Sequence, residues 1–117
     1  MKTTLLAKSS SGEPYNVEFL TEAGLLRVFC HCQAGLLQRM CKHKLAFIQG
    51  DANMLFDANQ ASLLSEIHTW PEFGNLKAHA AEYEKQIAEI EAAQTALAKK
   101  EKAIKAEFAH GLSHGFK

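Results

Sequence analysis

The chain has 117 residues, 47% of them hydrophobic, and its 13 basic and 13 acidic residues balance to a formal net charge of zero. That length holds one small domain and one extended element but not a large enzyme core, and the neutral total lacks the overall basicity of many nucleic-acid binders. No stretch approaches the roughly 18 apolar residues of a membrane-spanning helix, and Met1 to Lys8 lacks the apolar run of a secretory leader; a reducing cytoplasm and no membrane are the expectation. The charge is uneven: residues 1–50 hold six Lys or Arg against three acids, residues 51–75 none against four, and the remainder seven against six.

From the N-terminus, Thr3 to Lys8 reads as an edge strand, closed by the turn-rich Ser9-Ser10-Ser11-Gly12-Glu13-Pro14. Tyr15, Val17 and Phe19 alternate with Asn16 and Glu18, the period-two pattern of a half-buried antiparallel strand. Thr21 to Gly24 supplies a hairpin loop, and Leu25 to Cys30 is the returning strand. Gln33 to Met40 is a spacer in which Gly35 permits a turn. Cys41 then opens a helix whose apolar face is Leu45, Phe47 and Ile48, with Gly50 as its stop.

All three cysteines fall in this stretch, as Cys30-x-Cys32 and Cys41-x-His43 separated by eight residues. Two close pairs of thiolate and imidazole donors from two short segments are what a tetrahedral structural zinc ion requires. A disulfide framework would favour an even cysteine count and a secreted chain. Four protein ligands leave no vacant position for water or substrate, so the zinc is structural rather than catalytic. Arg39, Lys42 and Lys44 lie beside the pairs and are the candidate contacts to phosphates or to a protein partner. His31, between two ligands, is expected to face solvent.

The segments Tyr15 to Leu20, Leu25 to Cys32 and Cys41-Lys42-His43-Lys44-Leu45-Ala46-Phe47-Ile48 together resemble a SWIM-type zinc finger. That family carries Cys-x-Cys, a variable spacer, then Cys-x-His followed by an apolar helix. The resemblance covers residues 15 to 50 and implies Cys30, Cys32, Cys41 and His43 as ligands. It also implies binding of DNA or other proteins, the functions associated with these fingers.

Beyond the finger, Asp51 can cap a short helix through Phe56, and Asn59 a further one with Leu63, Leu64, Ile67 and Trp70 on its apolar side, ended by Pro71. These helices are expected to pack under the finger, with Trp70 in the core rather than stacked on a base or partner. Gly74 breaks the chain and Asn75 caps a helix free of Gly and Pro from Leu76 to Ala109. Within it Leu76, Ala80, Tyr83, Ile87, Ile90, Gln94, Leu97, Glu101, Ile104 and Phe108 repeat at alternating spacings of four and three, a heptad seam. His110 and His114 fall in a glycine-containing stretch that reads as a frayed tail.

The expected fold class is α+β: a small antiparallel sheet and helix around one zinc ion (1–50), short helices (51–74), a coiled-coil helix (75–110) and a flexible tail (111–117). The expected function is that of a non-enzymatic, zinc-stabilised module that binds nucleic acid through the finger as a homodimer paired over residues 76–108. The alternatives are a protein adaptor docking a larger enzyme or complex, and a redox device built on Cys30 and Cys32.

Overall fold

The computed structural model describes residues 1–117 and is α+β. Strands β1 (Lys2–Ala7), β2 (Tyr15–Glu22) and β3 (Leu25–Cys30) form an antiparallel sheet in the order β1-β2-β3. Helices α1 (Gln33–Leu36), α2 (Lys42–Ile48), α3 (Ala61–Ile67) and α4 (Phe73–His114) follow. The chain divides into two compact units, Met1–Ala81 and Glu82–Lys117.

In the first unit, alternation decides which sheet face is buried. Leu5 and Ala7 of β1 and Val17 and Phe19 of β2 are fully enclosed, and Phe47, Leu64, Ile67, Trp70 and Phe73 cover them. Trp70 is 6% exposed, so it is a core residue as expected. The His68 ring fastens the layer of helices: its Nε2 donates to the Phe47 carbonyl at 2.8 Å, and its face lies 4.1 Å from the Phe73 ring.

Several local expectations change. The loop expected over Thr21 to Gly24 shrinks to two residues, since β2 continues to Glu22 and only Ala23 (φ 53°) and Gly24 (φ 76°) turn. Two successive positive φ values make the tight hairpin turn whose twist matches the flanking strands. The helix expected from Asp51 to Phe56 is a single 3-10 turn, Ala52–Met54, capped by Asp51. Past it, Leu55 pairs with Ala7 as a short antiparallel rung, with Lys8 N–H donating to the Met54 carbonyl and Phe56 N–H to the Leu6 carbonyl, both at 2.9 Å. This segment and the Gln60 side chain, whose Oε1 accepts from Leu6 N–H, cover an otherwise open edge of β1. Asp57, not Asn59, caps the next turn, which leads into α3.

Gly74 does not break the chain, and Asn75 is not a cap: α4 begins at Phe73, two residues after Pro71. Phe73 is 2% exposed, and its burial anchors the first turn of α4 against the core, with Leu76 and Ala80 packing behind it.

In the second unit α4 continues to His114, beyond the helix end expected near Ala109. Gly115 at φ 94° ends it, and Phe116 returns to stack on Phe108 at 5.5 Å between ring centroids. Gly111 makes this possible, because a Cβ there would stand 2.3 Å from the Phe116 ring. His110 and His114 are also stacked, at 4.1 Å. No helix is long and apolar enough to cross a membrane.

Ala23 is a non-glycine residue held in the left-handed region, which costs an alanine about 1 kcal/mol. Ala23→Asn should raise the unit's stability by about 0.5 kcal/mol, because asparagine tolerates that region. Thermal unfolding of the metal-loaded protein checks this, and a lowered midpoint would contradict it.

Candidate metal centre

Cys30 ends β3 on its inward side, where alternation also places Leu26 and Val28. Beyond it, His31 N–H donates to the Asn16 carbonyl at 3.0 Å, and the chain turns so that Cys32 becomes the N-cap of α1. Its sulfur accepts from Gly35 N–H at 3.3 Å. Cys41 repeats the device as N-cap of α2, its sulfur accepting from Lys44 N–H at 3.4 Å. N-cap side chains satisfy backbone N–H groups that lack a partner in the first turn. For Cys32 the same N–H groups also favour the thiolate. His43 follows on the buried side of α2.

The structure brings Cys30, Cys32, Cys41 and His43 together: one donor atom from each lies within 4.8 Å of all the others, and all four residues are buried. The cysteines form no disulfide. Zinc–sulfur and zinc–nitrogen bonds of about 2.3 and 2.0 Å at tetrahedral angles separate ligand atoms by about 3.6 to 3.8 Å. Cys30 Sγ and His43 Nδ1 stand at that separation, 3.7 Å, and the set as a whole, within 4.8 Å, would draw in by up to about 1 Å around an ion. The other ring nitrogen, His43 Nε2, is buried without a hydrogen-bond partner of normal geometry. The Tyr15 ring tilts against the imidazole at 5.2 Å and restrains its orientation.

Gly35 is needed for a reason other than turning. Its φ is not positive, but a Cβ would stand 2.1 Å from the Cys30 carbonyl oxygen and 2.9 Å from the Cys30 Cβ. The first turn of α1 therefore presses on the end of β3, and this close approach places Cys32 opposite Cys30. The positive φ in the spacer belongs instead to Gln38, at 57°.

Burial and nearby amides set the electrostatics of the cluster. Burial pushes the Cys30 thiol up to about 12, with the neighbouring Cys32 and Cys41 sulfurs adding to the effect. For Cys32 burial acts in the same direction but is outweighed by the Gly35 N–H, the Cys30 and Cys41 groups and the Ala34 N–H, so its thiol falls below the ordinary value. Burial and the nearby Lys42 charge lower His43, against the backbone of Lys8, leaving the neutral imidazole that a metal needs.

The three basic candidates do not all line one depression. Arg39 and Lys42 line a groove of about 430 Å³ with Ser9, Ser10, Tyr15, Cys32 and His43. Lys44 lines a different depression with Arg27, Phe29 and Gln38, and its ammonium donates to the Arg39 carbonyl at 3.0 Å. Lys8, Ser9, Ser10 and Lys42 share an adjoining depression with Asp51 and Asn53, a hydroxyl-bearing neighbourhood of mixed charge absent from the sequence reading. Its signal was the Lys8-Ser9-Ser10-Ser11 run, legible there only as a turn. His31 is half-exposed, 3.6 Å from Glu18.

The chain matches no protein-family model, no curated protein and no solved structure.

Two outcomes follow from this geometry. Gly35→Ala should cost about 1–3 kcal/mol, the range for overpacking, and weaken metal binding, because the clash is with backbone that cannot rotate away. A chelator-competition titration reads the affinity, and an unchanged value would show that the approach of α1 to β3 is not what sets the site. Affinity should also rise with pH between 6 and 8. Cys30 still holds its proton there and must release it to the ion, whereas His43, lowered, competes for protons only in acid. The same titration at several pH values checks the sign, and a flat or falling profile would contradict it.

Proposed function

We propose that the first unit is a zinc-stabilised, non-enzymatic finger of the SWIM type that binds nucleic acid through the groove beside its metal centre. The observation that carries the reading is the placement of Arg39 and Lys42 in one groove with Ser9 and Ser10, immediately beside Cys32 and His43. Two cations and two hydroxyls on one wall suit a phosphodiester backbone, to which Arg and Lys supply charge and Ser supplies hydrogen bonds. Three sulfurs and one imidazole favour zinc over magnesium or calcium, which prefer oxygen. Four protein donors close the coordination shell, which supports a structural role for the ion and argues against hydrolysis at it. Cys30, Cys32, Cys41 and His43 are the ligands in this reading, and their thiols suit a reducing compartment such as the cytoplasm.

The second unit serves in this proposal as a homodimerisation element, the pairing running over residues 83–108, because Leu76 and Ala80 at the start of the seam pack against the core of the first unit. A dimer presents two weak grooves to one polynucleotide and converts them into a bivalent site. A second reading has support of its own. Phe29, Leu36, Leu37 and Met40, on β3 and in the spacer, are each at least 44% exposed. Apolar side chains so placed favour a protein adaptor that docks a larger enzyme or complex.

Fluorescence anisotropy with a short labelled oligonucleotide tests the first reading. Affinity should fall steeply with salt, and Arg39→Ala with Lys42→Ala should reduce the slope of log K against log salt by about 2, one per lost phosphate contact. Lys44→Ala should have a smaller effect, since its ammonium faces elsewhere. Absence of binding, salt-independent binding or an unchanged slope in the double variant would reject the groove as a nucleic-acid site. Recovery of one stoichiometric, nuclease-insensitive protein partner would then support the adaptor.

A further inference from the structure

Not one residue from Glu82 to Lys117 is fully buried. Helices draw most of their stability in water from packing an apolar face, and this one has such a face with nothing on it. Tyr83, Ile87, Ile90, Leu97, Ile104 and Phe108 lie along the seam with 37 to 66% of their surface exposed. The charges of this helix are segregated along its length. Residues 82–93 carry Glu82, Glu84, Glu89 and Glu91 against Lys85 alone, and residues 99–105 carry Lys99, Lys100, Lys102 and Lys105 against Glu101 alone. Glu101 is moreover held by Lys105 of its own chain at 2.8 Å, which leaves the other three lysines of that segment to set its sign.

A partner that covers this seam must answer an acidic half and a basic half. We infer that the occupant is a second copy of the same helix running antiparallel, with Ile87 of each copy opposite Ile104 of the other. The inference rests on the homodimer reading above and adds orientation and register to it. Reversal in this register sets 82–93 of one copy against 98–109 of the other, where four lysines outnumber Glu101 and Glu107, so that acid faces base twice over, and it brings Glu84 near Lys105, which would then bridge Glu84 and Glu101. In that register Tyr83 meets Phe108, so the aromatic side chains pack together, and the polar Gln94 falls next to Leu97 at the centre.

A parallel pair would set the acidic halves together and the basic halves together. It would also face Glu101 with its own copy inside the seam and place Lys100 near Lys105 across it, arrangements that like charges disfavour.

The test uses the zinc-loaded full chain. Light scattering gives the mass, and disulfide cross-linking gives the orientation, with the unmodified chain reporting any background from Cys30, Cys32 and Cys41. Ile87→Cys and Ile104→Cys are prepared separately and mixed. The antiparallel pair predicts a dimer whose mixture gives the cross-linked heterodimer, while neither variant alone cross-links. It also predicts a dissociation constant that rises at least several-fold between low and high salt. Should a seam substitution weaken pairing, the flanking Glu84→Cys and Lys105→Cys give the same readout without touching the seam. Cross-linking of each variant with itself would overturn the orientation and leave the homodimer standing. A monomer for the unmodified chain would overturn both.

Discussion

Four donor atoms converging within 4.8 Å join three segments, of which the end of β3 and the start of α2 are also held by the sheet and the core while the knuckle that opens α1 is not. The end of β3, the knuckle that opens α1 and the start of α2 each deliver part of the set, and each is short. A four-residue α1 and a seven-residue α2 are far below the length at which helices persist alone. Their first turns are capped by the sulfurs themselves, so the groups that would hold the ion also satisfy the backbone around it. An ion bound there would couple its own binding to the folding of these short segments, as in other small domains whose ligands come from short loops.

The approach of Gly35 to the Cys30 carbonyl shows how narrow that arrangement is. The hydrophobic core beneath, with Phe19, Phe47, Ile67 and Phe73 enclosed, holds the sheet to α2 and α3 independently of the cluster. The core fixes where α2 lies, α2 fixes Cys41 and His43, and the close contact of α1 with β3 fixes Cys32 against Cys30. The groove at the surface inherits its shape from the same elements. Arg39 precedes the Cys41–His43 pair in sequence and Lys42 lies within it, and Ser9 and Ser10 arrive from the β1–β2 connection.

Charge matters locally in a chain whose total is zero. The first unit gathers cations next to the cluster, whereas the helix beyond Glu82 separates acid from base along its length. Each pattern is invisible in the net charge. Polarity along a helix acts on the choice and direction of a helical partner, and cations on a groove wall act on the sign of a ligand.

Much of the fold was legible because it depends on periodicity. Alternation at Tyr15, Val17 and Phe19 specified β2 and its buried face, Gly50 marked the end of α2, and the unbroken run after Leu76 specified the long helix. The Cys-x-Cys and Cys-x-His pairs were legible because coordination chemistry demands those residue types at short spacings. What the sequence could not decide were features that depend on distant residues. Phe73 starts α4 ahead of Asn75 because its ring is buried in the core, and Gly74 passes unnoticed inside the helix. Leu55 forms a rung on β1 because the edge was open. Phe116 stacks on Phe108 because Gly111 leaves room. Gly35 is required by the backbone of Cys30 rather than by its own dihedral angles, and Lys44 separates from Lys42 because residues two apart on a helix point to nearly opposite sides. Local pattern determined the elements and the donor set; packing between residues far apart in the chain determined their ends and which side chains share a surface.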